Sequence, residues 1–121
     1  MMTYTNKVEL KGYLGAGAAP KILDGGKTVL NFSVATKIFW GKGDQRQERT
    51  EWHRVTAWNG TARRVGELTK GAYLHIIGEL RSREYTNGEG AQVQTYDIVA
   101  RKIEILPHES AREAGNQGVG Q

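Results

Sequence analysis

The chain contains no cysteine. Disulfide frameworks, thiolate nucleophiles and cysteine-based metal sites are thereby excluded. A reducing compartment, the cytoplasm, is the natural expectation. Proline occurs twice, at Pro20 and Pro107, so rigid linkers are scarce. No apolar run approaches the roughly 18 residues that a membrane-spanning helix needs, and residues 1–7 hold no apolar signal-peptide core. Only three histidines exist, His53, His75 and His108, and they lie far apart. No two of them have the helical spacing of a metal-binding pair. Neither a Gly-x-Ser-x-Gly elbow nor a phosphate-binding P-loop occurs. Gly15-x-Gly17 fails the dinucleotide fingerprint, because Pro20 stands where a third glycine belongs and no strand–helix–strand unit surrounds it. No nucleophile, base and metal set can be assembled from neighbouring residues. The expectation is a protein that is not an enzyme and needs no cofactor.

What is present is modest in bulk and specific in pattern. A length of 121 residues suits one domain with a single core. Seventeen Lys and Arg against thirteen Asp and Glu leave a net charge of +4, which permits a polyanionic partner without demanding one. Sixteen glycines suit the tight turns of a compact β-protein.

The dominant period is two, the signature of strands. Val8, Leu10, Gly12 and Leu14 share one face of a first strand over residues 7–14, and Lys21-Ile22-Leu23 forms a short extension. Asp24-Gly25-Gly26 is a turn signal. A second strand from Val29 directs Leu30, Phe32 and Val34 inward and runs on towards Trp40; residues 41–49 are polar and predict a loop. A third strand over residues 50–58 places Val55 and Ala57 inward and Trp52, Arg54, Thr56 and Trp58 outward. Asn59 or Thr61 caps a short helix carrying Ala62, Val65 and Leu68, and Lys70-Gly71 ends it. A fourth strand over residues 73–85 directs Leu74, Ile76, Gly78 and Leu80 inward, leaving Arg81, Arg83 and Tyr85 outward. A fifth runs over residues 92–106, with its alternation slipping near Ile98-Val99 in a bulge. Residues 107–121 have little apolar content and are expected to be a disordered tail. The expected fold is all-β: a five-stranded Greek-key barrel of the OB type over residues 1–106, with one short helix between strands three and four.

The outward residues suggest chemistry. Trp52 and Trp58 flank Arg54 on one strand face, and Arg81, Arg83 and Tyr85 repeat the pattern on another. Every nucleobase has a π-face on which an indole or phenol ring can stack, and arginine pairs with phosphate. A duplex hides its base faces, so such a track favours single strands. Lys7, Arg49 and Arg63 are further phosphate candidates. Alternation places Trp40 on the core side of its strand unless a bulge near Lys37 turns it outward. Alternatively, these aromatics close the barrel ends or build a protein interface, as in an interaction module. Stacking alone also leaves single-stranded RNA open as a ligand.

Several blocks recur in a recognisable order. Asn6-Lys7-Val8 leads into Gly12-x-Leu14-Gly15. Then come Asn31-Phe32-Ser33-Val34-Ala35-Thr36, Thr50-Glu51-Trp52-His53-Arg54-Val55, Lys70-Gly71 and Ile77-Gly78-Glu79-Leu80-Arg81. In this order and spacing the chain resembles the bacterial single-stranded-DNA-binding protein family over residues 5–106. The resemblance implies an OB-fold homotetramer that wraps single-stranded DNA on the nucleoid in replication, recombination and repair. It implies stacking at Trp40, Trp52, Trp58 and Tyr85, the last two standing where the family has phenylalanine and tryptophan. It places His53 at the subunit interface. The family's acidic C-terminal tip, which recruits replication and repair proteins, has no counterpart in Gly118-Val119-Gly120-Gln121, and recruitment of such proteins stays open.

Overall fold

The computed structural model describes residues 3–107; the expected tail lies outside this range except for Pro107. The elements are β1 (Val8–Leu14), β2 (Lys21–Ile22), β3 (Thr28–Trp40), β4 (Gln47–Trp58), α1 (Asn59–Val65), β5 (Tyr73–Thr86) and β6 (Gln92–Leu106). Five are long strands and β2 is a two-residue ribbon on β3. The order across the sheet is β1-β5-β6-β4-β3-β2, and β1 also pairs with β3. That last pairing closes the sheet into the expected five-stranded barrel, with one helix between the third and fourth long strands.

Closure requires β1 to bend from one neighbour to the other. Gly12 stands opposite Leu74 of β5, and one residue later Tyr13 pairs with both Tyr73 and Ala35. A Cβ on Gly12 would run into the Ala35 carbonyl oxygen and the Val34 side chain. Absence of a side chain is therefore what lets β1 approach β3.

The core follows the period-two sets. Leu30, Phe32 and Val34 of β3 meet Val55 and Ala57 of β4, with Leu14, Leu74, Ile76, Ile98 and Ala100 completing the lining. Ala62 of α1 and the nearby Leu68 plug the barrel end.

Several boundaries differ from the sequence expectation. Leu80 is 45% exposed rather than inward. β1 begins opposite Gly78, so beyond that point β5 has β6 on one side and no strand on the other. The Asn6 side chain holds the Leu80 backbone there instead, accepting from its N–H and donating to its carbonyl, each at 2.9 Å. The expected loop over residues 41–49 is shorter, because a 3₁₀ turn at Gly43–Gln45 returns the chain and β4 starts at Gln47. Asn59 does not cap the helix: its Oδ1 accepts from the Thr28 N–H at 3.1 Å, tying the start of β3. Thr61 instead donates its hydroxyl to the Arg101 carbonyl at 3.5 Å. The helix ends at Gly66, at φ 68°, not at Lys70-Gly71. Leu68 lies past the helix, where a bridge to Ala18 buries it. The irregularity in β6 falls at Arg101 rather than Ile98-Val99, since Ile77 faces Lys102 while Gly78 faces Ala100.

Leu30 is fully buried at the centre of this lining. Leu30→Ala is expected to lower the unfolding free energy by about 2–5 kcal/mol, the usual cost of such a cavity. Urea denaturation checks this; a loss below about 1 kcal/mol would contradict the packing described.

Candidate nucleic-acid interface

Two hairpins run past the core. Beyond Val34 no residue of β3 is fully buried, and beyond Gly78 none of β5 is. Cross-strand partners point to the same side of a sheet, so the registers define the outward face. On β4 it carries Trp52, Arg54, Thr56 and Trp58, opposite Ala35, Ser33, Asn31 and Val29. On β5 it carries Glu79, Arg81, Arg83 and Tyr85, opposite Val99, Asp97, Thr95 and Val93. The parallel pairing of Thr56 with Val99 joins the two sets into one surface.

The aromatics on this surface are unusually open for their size. Trp52 is 60% exposed, Tyr85 47% and Trp58 40%. The benzo end of the Trp52 indole rests on Gly15, where a Cβ would come within 2.6 Å of the ring. Glycine therefore gives the indole a backbone floor.

The cations are organised by two acids lying beneath them. Asp97 is 14% exposed; Arg83 reaches its Oδ2 at 3.4 Å and Arg54 its Oδ1 at 3.9 Å. Glu79 is 13% exposed and accepts from Arg101 Nη2 at 2.7 Å and Nε at 3.0 Å, and from Arg81 on its other oxygen. Trp58, Arg81 and Val99 line two adjoining grooves, one extending to Arg83 and Asp97 and the other to Glu79 and Arg101.

Residues 5–106 match the model of the "Single-strand binding protein family". The chain belongs to that family. A single-stranded DNA-binding protein of Neisseria meningitidis serogroup A is 37% identical over 121 residues, covering 96% of this chain and 70% of the relative. The single-stranded DNA-binding protein 1 of Xylella fastidiosa is 39% identical over 108 residues, covering 87% and 79%. Among solved structures, the Plasmodium falciparum SSB in complex with single-stranded DNA superposes with a TM-score of 0.76 at 26% identity. It covers 88% of this chain and 99% of that one.

Not every sequence candidate of this family member joins the outward face. The register of β3 on β4 is unbroken from Val29 opposite Trp58 to Trp40 opposite Gln47. No bulge turns Trp40, which therefore lies with Ile38 and Thr36 on the reverse face of the hairpin. Arg49, opposite Ile38, is on that reverse face too and pairs with Glu51 at 2.6 Å. Arg63 sits on α1 and donates to Thr28 Oγ1 at 3.3 Å. Lys7 precedes β1 and is exposed. His53 is half-buried opposite Val34, its Nε2 2.9 Å from Thr36 Oγ1. Among the described residues, no group of three His, Cys, Asp or Glu is placed to hold a metal, and no helix is long and apolar enough to cross a membrane.

Two residues escaped the sequence reading. Phe39, 50% exposed, is on the face of Trp52, with the Arg46 guanidinium 4.9 Å from its ring centre. Strict alternation from Phe32 and Val34 would have found it. Arg101 reaches Glu79 from the β6 bulge, which alternation cannot locate.

Hydrogen bonds from Arg101 and then Arg81 hold the Glu79 carboxyl below the ordinary glutamate value of 4.5. A depressed carboxylate stabilises the fold above its unfolded pKa, and the contribution is lost as pH falls through the folded one. Thermal unfolding followed below pH 4.5 is expected to show a shallower loss of Tm in Glu79→Gln than in the parent chain. Equal acid limbs would contradict the ion-pair assignment.

Proposed function

We propose that this chain binds single-stranded DNA without reading its sequence, coating and protecting it in DNA replication, recombination and repair. Residues 1–106 are the binding unit, acting within a cytoplasmic, nucleoid-associated homotetramer. The observation that carries this is one continuous outward face on which open aromatic rings alternate with arginines: Trp52, Arg54 and Trp58 on β4, and Arg81, Arg83 and Tyr85 on β5. Family membership supports the same reading.

The mechanism is physical rather than covalent. Unstacked bases lie on Trp52, Trp58 and Tyr85, each stack contributing about 1–3 kcal/mol whatever the base. Phosphates pass the guanidiniums of Arg54, Arg81 and Arg83, each contact releasing counterions from the strand. Paired DNA presents no ring faces to the track. An OB-fold of this kind covers roughly 4–16 nucleotides. Trp40 and Arg49 join where a strand rounds the tip of the β3–β4 hairpin to its reverse face. Lys7 and Arg63 add charge at its margins.

Titration with poly(dT), followed by tryptophan fluorescence, tests the proposal. Saturable quenching at low salt, weakened as salt rises, is expected. Trp52→Ala is expected to lose about 1–3 kcal/mol of affinity with Tm unchanged, because the side chain is outside the core. Absence of quenching, or unchanged affinity in the folded variant, would contradict stacking on this face.

A further inference from the structure

Four arginines on the outward face are not equally available to a ligand, because each already meets a carboxylate of its own chain. Glu79 lies between Arg81 and Arg101, and Asp97 between Arg54 and Arg83. The two acids are nearly covered, at 13% and 14% exposed, whereas their arginines are 59–69% exposed. A carboxylate flanked by two guanidiniums has the same donor arrangement that a backbone phosphate would meet.

We propose that Glu79 and Asp97 are internal phosphate surrogates that hold the affinity for single-stranded DNA below what the four arginines alone would supply. They thereby ease release of a bound strand. The inference rests on the proposed binding of single-stranded DNA to this face.

The two carboxylates cancel half of the positive charge of the four guanidiniums. An arriving phosphate must share donors with a carboxylate or displace it, and it feels the like charge of that carboxylate a few ångströms below. Both effects weaken the hold on a bound strand. The two acids differ in grip. Glu79 is held by several charge-assisted hydrogen bonds, whereas Asp97 Oδ1 makes no hydrogen bond. Glu79 is therefore the stronger surrogate and the first to remove.

Glu79→Gln keeps an acceptor oxygen for Arg101 and removes only the charge. Its affinity for a dT oligonucleotide at low salt is expected to rise roughly three- to tenfold, the scale of one unit charge about 4 Å from a phosphate when water screens the pair fully. The gain should shrink as salt screens it, steepening the dependence of log K on log salt. Asp97→Asn is expected to shift affinity in the same direction by less. Glu67→Gln, which removes the same charge from an exposed position outside the face, is expected to change little.

Unchanged or weaker binding by Glu79→Gln and Asp97→Asn, with both variants folded at the temperature of the titration, would overturn the inference and assign the acids to orienting the arginines. An equal gain in Glu67→Gln would also overturn it, reducing the effect to net charge. Failure of the parent chain itself to bind the oligonucleotide would remove the binding proposal and this inference with it.

Discussion

Tyr13 is paired with Ala35 on one side and with Tyr73 on the other, and the architecture depends on that double pairing. A sheet left open at β1 would expose two edges to other chains. Closure instead turns Leu14, Val34, Val55, Leu74 and Ile76 onto one another and leaves Trp52, Arg54, Arg81 and Arg83 on the opposite side, open to solvent. A small barrel has no room inside for a ligand once its side chains fill it. Any ligand-facing chemistry must therefore sit outside, on the outward residues of the strands and on the hairpins that outrun the core. Gly12 makes the bend that closure needs, and Gly15, just beyond β1, supports the Trp52 ring. One turn of chain thus serves both the fold and the face.

The face combines two otherwise costly features. Large aromatic rings remain open to water on strands that also carry the core, which packing alone does not require. Acids lie beneath cations, so the arginines are held in place while their outer donors still face solvent. The barrel supports both, because β4 and β5 are each held in an antiparallel hairpin, with β3 and with β6, that is anchored in the core.

Much of this was legible from alternation. Trp52, Arg54 and Trp58 opposite Val55 and Ala57 follow from period two, and the structure preserves that set intact. The same rule put Trp40 on the core side, and the unbroken register leaves it there; a bulge near Lys37 would have been needed to move it. Leu80 failed because alternation assigns a face without saying where the covering strand stops, and β1 begins only opposite Gly78. The helix end was misplaced because Gly66, not Gly71, follows the last helical turn, and Leu68 is buried by a bridge to Ala18 that joins distant parts of the chain. The pairing of Arg54 with Asp97 depends on the parallel contact of β4 with β6, and that of Glu79 with Arg101 on the irregularity in β6. No local pattern encodes them.

The most direct test of the account is where a bound strand lies. A dT oligonucleotide carrying 5-iodouracil, photo-crosslinked to the chain and mapped by mass spectrometry, reads this residue by residue. The account predicts crosslinks at Trp52, Trp58 and Tyr85, on the outward face joined through Thr56 and Val99. Crosslinks confined to the opposite side of the β5–β6 hairpin, at Tyr96, with none on the outward face, would contradict it.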